Sequence, residues 1–80
     1  MDYKIICFGI AKDILGGREV SLSLPDDLTV EEFQKIIEER YPKLSGLASM
    51  KIAVNESYAT PGQVISSSDE IVLIPPVSGG

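Results

Sequence analysis

Thr29-Val-Glu-Glu-Phe-Gln-Lys-Ile-Ile-Glu-Glu-Arg-Tyr41-Pro42 is the stretch of this 80-residue chain that decides its architecture, because it carries a long helical period. Thr29 followed by Glu32 fits a capping box: the threonine oxygen takes an orphan amide and the glutamate reaches back. Val30, Phe33, Ile36, Ile37 and Tyr41 recur at helical spacing, while Glu31, Glu32, Gln34, Lys35, Glu38 and Glu39 fill the positions between. One face is therefore apolar and the other wet. Pro42 ends the helix, because the residue before a proline leaves the α region. Glu31 and Lys35 stand four apart on the wet face, an ion pair worth a few tenths of a kcal/mol at most.

The sequence on both sides of this helix reads as strands. Tyr3–Phe8 is β-branched and aromatic. Gly16-Gly17 marks a turn. Val20, Leu22 and Leu24 alternate with Glu19, Ser21 and Ser23, the period of a half-buried strand. These two runs predict a hairpin with a longish loop over Ile10–Leu15, and Pro25-Asp26-Asp27 ends it. After the helix, Leu44, Leu47 and Met50 continue an apolar pattern through a loop or short helical turn. Lys51–Val54 is a short strand, Asn55-Glu56 a turn leading to Tyr58, and Pro61-Gly62 another turn. Ser66–Asp69 is a polar loop before a last strand, Glu70–Ile74. The order β-β-α-β-(β)-β is an α+β architecture, a mixed sheet packed on one main helix. Eighty residues make a single domain, 1–80, with 75–80 as an extended flexible tail.

Strand parity then sorts the residues by face. In the first strand Tyr3, Ile5 and Cys7 share one face, and Lys4, Ile6 and Phe8 the other. In the last, Ile71 and Leu73 oppose Val72 and Ile74. Lys4 and Glu70 mark their faces as the wet ones, which leaves Ile6, Phe8, Val72 and Ile74 pointing away from the helix. Such a patch asks for a partner, unless the termini fold over it or it is only scattered surface hydrophobicity.

Composition narrows the chemistry. Hydrophobic content of 44 % and charged content of 24 % are those of an ordinary globular chain. No run approaches the roughly 18 apolar residues of a membrane span, and Met1-Asp2 opens no signal peptide. A cytoplasmic location is expected, with no membrane partner. There is one cysteine and no histidine. That removes an internal disulfide, the commonest general base and the commonest metal ligand, so a self-sufficient hydrolase or metalloenzyme is disfavoured. Net charge is −5. Residues 19–80 hold ten acids against four bases, so there is no basic stripe for nucleic acid. An acidic surface steers a chain toward a basic partner or merely keeps it dissolved, and both remain open. Cys7, in a strand on the helix side, is a buried small hydrophobe. The adjacent acid pairs Asp26-Asp27, Glu31-Glu32 and Glu38-Glu39 suit a solvated face better than a catalytic dyad.

The final residues, Ile71-Val-Leu-Ile-Pro-Pro-Val-Ser-Gly79-Gly80, carry no charged side chain. Pro75-Pro76 stops the strand. Glycine threads narrow channels because it has no Cβ. The chain reads as a handle, with the carboxylate of Gly80 as the reactive group.

Ala53-Val-Asn55 and Asp69–Gly80 closely resemble the family of small, sulfur-carrying subunits of molybdopterin synthase, whose hallmark is a D-E-[VI]-A-x-[FI]-P-P-[VI]-[ST]-G-G ending. Phe8-Gly-Ile-Ala-Lys12-Asp13-Ile-Leu-Gly16 is similar to the family's F-A-x-x-R-E-x-x-G stretch. Lys12-Asp13 replaces the usual Arg-Glu, which loses a bidentate fork, and Gly9 stands where a second phenylalanine is common. The resemblance implies a ubiquitin-like β-grasp fold. It implies that a ubiquitin-activating-type enzyme adenylates Gly80 with ATP, since an ionised carboxylate is a poor electrophile. A sulfur donor protein then displaces AMP and leaves a thiocarboxylate. The tail enters the large synthase subunit, which carries the active site, and donates sulfur to cyclic pyranopterin monophosphate. Gly80 is the carrier, Gly79, Ser78 and Val77 give reach, Phe8, Tyr58 and Ile74 match the subunit contact surface, and Pro75, Pro76, Val77 and Ser78 are expected to bind the partner as well. The chain itself would be a non-catalytic sulfur-donor subunit that binds no cofactor and no metal, one docked at each end of a large-subunit dimer in a heterotetramer. Alternatives remain. The same chemistry serves thiamin and tRNA thiolation, a ubiquitin-like modifier would conjugate to lysines, and a plain binding domain would not need its two last glycines.

Overall fold

The structure, a computed structural model, describes residues 1–45 and 50–75. Its elements are β1 (Asp2–Cys7), α1 (Gly9–Leu15), β2 (Glu19–Ser23), α2 (Val30–Arg40), α3 (Pro42–Ser45), β3 (Lys51–Val54), β4 (Ser57–Tyr58) and β5 (Glu70–Ile74). The strands form one sheet in the order β2-β1-β5-β3-β4. β1 and β5 are neighbours and parallel, with Ile5 opposite Ile71 and Cys7 opposite Leu73; β1–β2, β3–β5 and β3–β4 are antiparallel. This is the expected mixed sheet with α2 across one face, a β-grasp arrangement.

α2 begins as its sequence dictates. Thr29 Oγ1 accepts from the Glu32 N–H at 3.2 Å, and the Thr29 N–H donates to Glu32 Oε1 at 2.9 Å. The bonds that the Glu32 carboxyl accepts from the Thr29 N–H and, at 3.1 Å, from the Thr29 hydroxyl hold it below its ordinary value. The apolar face buries Val30, Phe33 and Ile37 against Tyr3, Ile5, Cys7, Ile71 and Leu73, all in one core. Strand parity is thereby borne out: Tyr3, Ile5, Cys7, Ile71 and Leu73 are fully buried. Cys7 lies inside the core, where burial pushes its thiol pKa up. Tyr3 keeps its polar tip satisfied by donating to the Pro25 carbonyl at 3.0 Å.

Two expectations fail. Residues 10–15 are not a loop but most of α1, with Ala11 and Leu15 in the core and Ile14 packed against it. Positions 11, 14 and 15 share one helical face, and burying that face over the end of the sheet outweighs extended conformations. Gly16 closes α1 in the left-handed region at φ 88, its N–H donating to Lys12 C=O at 3.0 Å, a role that glycine fills without strain. The Glu31–Lys35 ion pair is also not made. Among the described residues the one ion pair within 4.0 Å joins the Met1 amino group to Asp26, at 3.9 Å. The weak gain of an exposed pair does not cover the entropy of holding two long side chains; Lys35 instead adds to the lowering of Glu32. Of the apolar run after α2, Leu44 is buried and Met50 half-buried, and Leu47 lies outside the described residues. No helix among those residues is long and apolar enough to cross a membrane.

Candidate docking face and tail root

The sheet face turned away from α2 is built by register. Ile6 on β1 sits opposite Val72 on β5, Val72 opposite Ala53 on β3, and Ala53 opposite Tyr58 on β4. An apolar row therefore crosses four strands. Tyr58 is 72 % exposed, whereas Ala53, between its two neighbours, is only 7 % exposed. A second row follows at the C-terminal end of β5, where Ile74 lies opposite Lys51. Phe8 is extended and comes one step after the Cys7–Leu73 pair, so it continues alongside Ile74.

Two of the three expected contact residues, Tyr58 and Ile74, line one groove of about 300 Å³ together with Ala53, Val72, Glu56 and Glu70. Phe8 is not among its lining residues; it is 46 % exposed at the end of β1. Ala53, Glu56 and Glu70 were not picked out from the sequence as contact residues. For Ala53 a signal existed, since Lys51 marks the wet parity of β3 and Ala53 shares it. Glu56 and Glu70 give the groove an acidic rim. A larger cavity of about 680 Å³ opens on the other side of Tyr58, between Val30, Glu31 and Gln34 of α2 and Met50, Lys51 and Ile52.

The turn that carries Glu56 is held firmly. Asn55 and Glu56 both have positive φ, 50 and 70, as a two-residue hairpin between twisted strands requires. The Asn55 side chain donates to Asp69 Oδ1 at 2.9 Å and accepts from the Glu70 N–H at 2.9 Å. Asp69 also accepts from the Ser66 N–H at 2.8 Å. Bonds from Asn55 and Ser66 hold the Asp69 carboxyl below its ordinary value. This network ties the start of β5 to the β3–β4 turn and so fixes the groove's two rims to each other.

At the other end of β5 the chain leaves the sheet at Pro75. Its ring lies beside Gly9, where an added Cβ would come within 3.3 Å of Pro75 Cγ. The remaining expected site residues, Pro76, Val77, Ser78, Gly79 and Gly80, lie outside the described residues. Among the described residues no cluster of three acidic or cysteine side chains converges as a metal ion would require, and no buried side-chain nitrogen or oxygen is left without a partner. The arrangement offers an apolar platform with a charged edge and a strand that ends beside it. It offers no nucleophile–base pair.

Known proteins resemble this chain in sequence and in fold. The chain is 40 % identical over 80 residues to a Caenorhabditis briggsae protein, with 96 % of this chain and 95 % of the relative covered. It is 33 % identical over 81 residues to a human one, covering 96 % and 92 %. Both relatives are named molybdopterin synthase sulfur carrier subunit. Among solved structures, SAMP1 of Haloferax volcanii superposes with TM-score 0.80 at 25 % identity over the whole of both chains. A Helicobacter pylori chain from a complex of subunits 1 and 2 of molybdopterin-converting factor superposes with TM-score 0.67 at 26 % identity, again over both whole chains. The fold is thus the ubiquitin-like β-grasp of these carriers. The model of the ThiS family matches residues 5–80, and with it the sheet, the helix and the glycine ending: this chain belongs to the ThiS family.

Proposed function

We propose that this chain is the sulfur-carrying small subunit of a molybdopterin synthase. The observation that carries the proposal is the placement of the tail root, at the end of β5 and beside an apolar sheet face that none of the described residues covers. The likeness to named sulfur carrier subunits over nearly the full length supports it. So does the complex in which the Helicobacter pylori neighbour is paired with a second subunit.

The reaction follows from the chemistry of a carboxylate. At neutral pH the Gly80 carboxylate is ionised and resists nucleophiles. One of its oxygens attacks the α-phosphorus of ATP on an adenylating partner, and pyrophosphate leaves. Sulfur at the sulfide level, released by a donor protein as hydrosulfide, attacks the acyl carbon, AMP and a proton leave, and the end becomes a thiocarboxylate. The large subunit then receives the tail, and the sulfur passes to cyclic pyranopterin monophosphate. General acids, bases and phosphate-binding cations belong to the partners. On this chain Tyr58, Val72, Ile74 and Phe8 seat the large subunit, Pro75 and Pro76 root the tail, Val77, Ser78 and Gly79 span the channel, and Gly80 carries sulfur.

Deletion of Gly80 tests this directly. Sulfur transfer to the precursor, followed by formation of the dithiolene product, is expected to vanish while the circular dichroism spectrum stays that of the full chain. An active deletion variant would refute the proposal. A second reading, conjugation to protein lysines, is favoured by the likeness to SAMP1. It predicts isopeptide-linked Gly80 on other proteins, visible by mass spectrometry of tryptic digests.

A further inference from the structure

The end of β5 has a second side that the docking face does not use. Gly9 packs against Pro75 with φ 55, and a side chain there would press on the proline ring. Beside Gly9 in the chain, Phe8 and Ile10 are 46 % and 49 % exposed. Ile10 also lines, with Asp13, Ile14 and Lys43, a shallow hollow of about 320 Å³ between α1 and α3. The tail root is therefore flanked by apolar surface twice, by Ile74 on the sheet side and by Ile10 on the α1 side, with Phe8 joining the two.

Length makes this second side matter. Five residues, Pro76–Gly80, follow Pro75, and at full extension they span about 17 Å. A partner that draws Gly80 to a reacting centre inside itself must bring the mouth of its channel down onto Pro75. It then lies on whatever surrounds Pro75, and that includes Gly9 at the start of α1. We infer that the start of α1 is a second seat for the large subunit, with Ile10 as its contact residue and the α1–α3 hollow receiving an apolar side chain from the channel rim. Asp13 and Lys43 at the hollow's edge leave room for either charge beside that side chain. Gly9 keeps the collar low, because a Cβ there would lift the tail root away from α1. The inference rests on the function proposed above.

Calorimetric titration of the large subunit with the unmodified carboxylate form of this chain tests it without requiring sulfur loading. Ile10→Glu is expected to raise Kd about tenfold or more, since a charge is desolvated in an apolar contact, and Ile10→Ala about threefold. Ser67→Glu adds the same charge in the loop before β5, at the opposite end of that strand, and is expected to stay within about twofold of the unaltered chain. Far-UV circular dichroism and thermal midpoints of all variants should match, because both positions are solvent-exposed. An unchanged Kd for Ile10→Glu, or an equal loss for Ser67→Glu, overturns the collar and leaves the sheet-face docking intact. No binding by the unaltered chain overturns the proposed function, and the collar falls with it.

Discussion

Asn55 and Glu56 show how much a single residue can decide. The sequence marks them as a turn, and they are one, but a glutamate at φ 70 holds a backbone conformation that glycine takes at far lower cost. Glu56→Gly is expected to stabilise the fold by about 0.5–1 kcal/mol, read as a higher urea midpoint at unchanged m. Strain of this kind collects where a side chain has a task, and Glu56 lines the docking groove. Asp69 gives a second prediction. Its carboxyl is held down by Asn55 and by the Ser66 N–H, so the folded state binds that proton more weakly than the unfolded chain. Its stabilising contribution is complete above the unfolded value, near 3.9, and is lost as pH falls through the lower folded value. Asp69→Asn should therefore flatten the fall in stability as pH drops below the unfolded value, measured by urea denaturation at several pH values. The partnership of Asn55 and Asp69 was not legible in advance, because side chains 14 residues apart meet only once β3 and β5 are paired.

Elements were legible in proportion to how locally they are determined. α2 announces itself through its own cap and period, and begins where Thr29 and Glu32 place it. Thr29→Ala should cost about 1 kcal/mol, seen as a lower urea midpoint, because it removes one half of the capping box from an exposed helix start. β5 and β3 also fall where their alternation sets them. α1 did not declare itself: seven residues with a glycine at the start and no capping side chain at Phe8 have little helical preference of their own. Tertiary burial makes that helix. Leu15→Ala, which opens space under α1, is accordingly expected to cost about 2–4 kcal/mol, and a thermal melt followed by circular dichroism would measure it. Its apolar pair Ala11 and Leu15, four apart, was the available clue.

For the molecule as a whole, parity did what local propensity does not. Lys4 and Glu70, opposite each other in register, assigned the wet face, and with it Ile6, Phe8, Val72 and Ile74; Tyr58 entered through the family resemblance, and Ala53 only through the strand pairing. The groove on that face could not be drawn from sequence, because its acidic rim is assembled from the β3–β4 turn and the start of β5. Tyr58→Asp should leave the thermal midpoint unaltered, given a side chain 72 % exposed, and weaken large-subunit binding about tenfold or more by calorimetry. The parallel pairing of β1 with β5 has a further consequence, one of timing. β5 lies between β1 and β3, so a nascent chain that has not yet passed Glu70 has strands on both flanks and nothing to join them. The core residues Ile71 and Leu73 arrive together with the strand that leads into the tail. Folding of the sheet must then wait until β5 has been made. A prematurely terminated product lacks its central strand and stays open to proteolysis. Quality control on the fold thus becomes quality control on the proposed handle: a chain that reaches the compact state has already made the strand that leads into it.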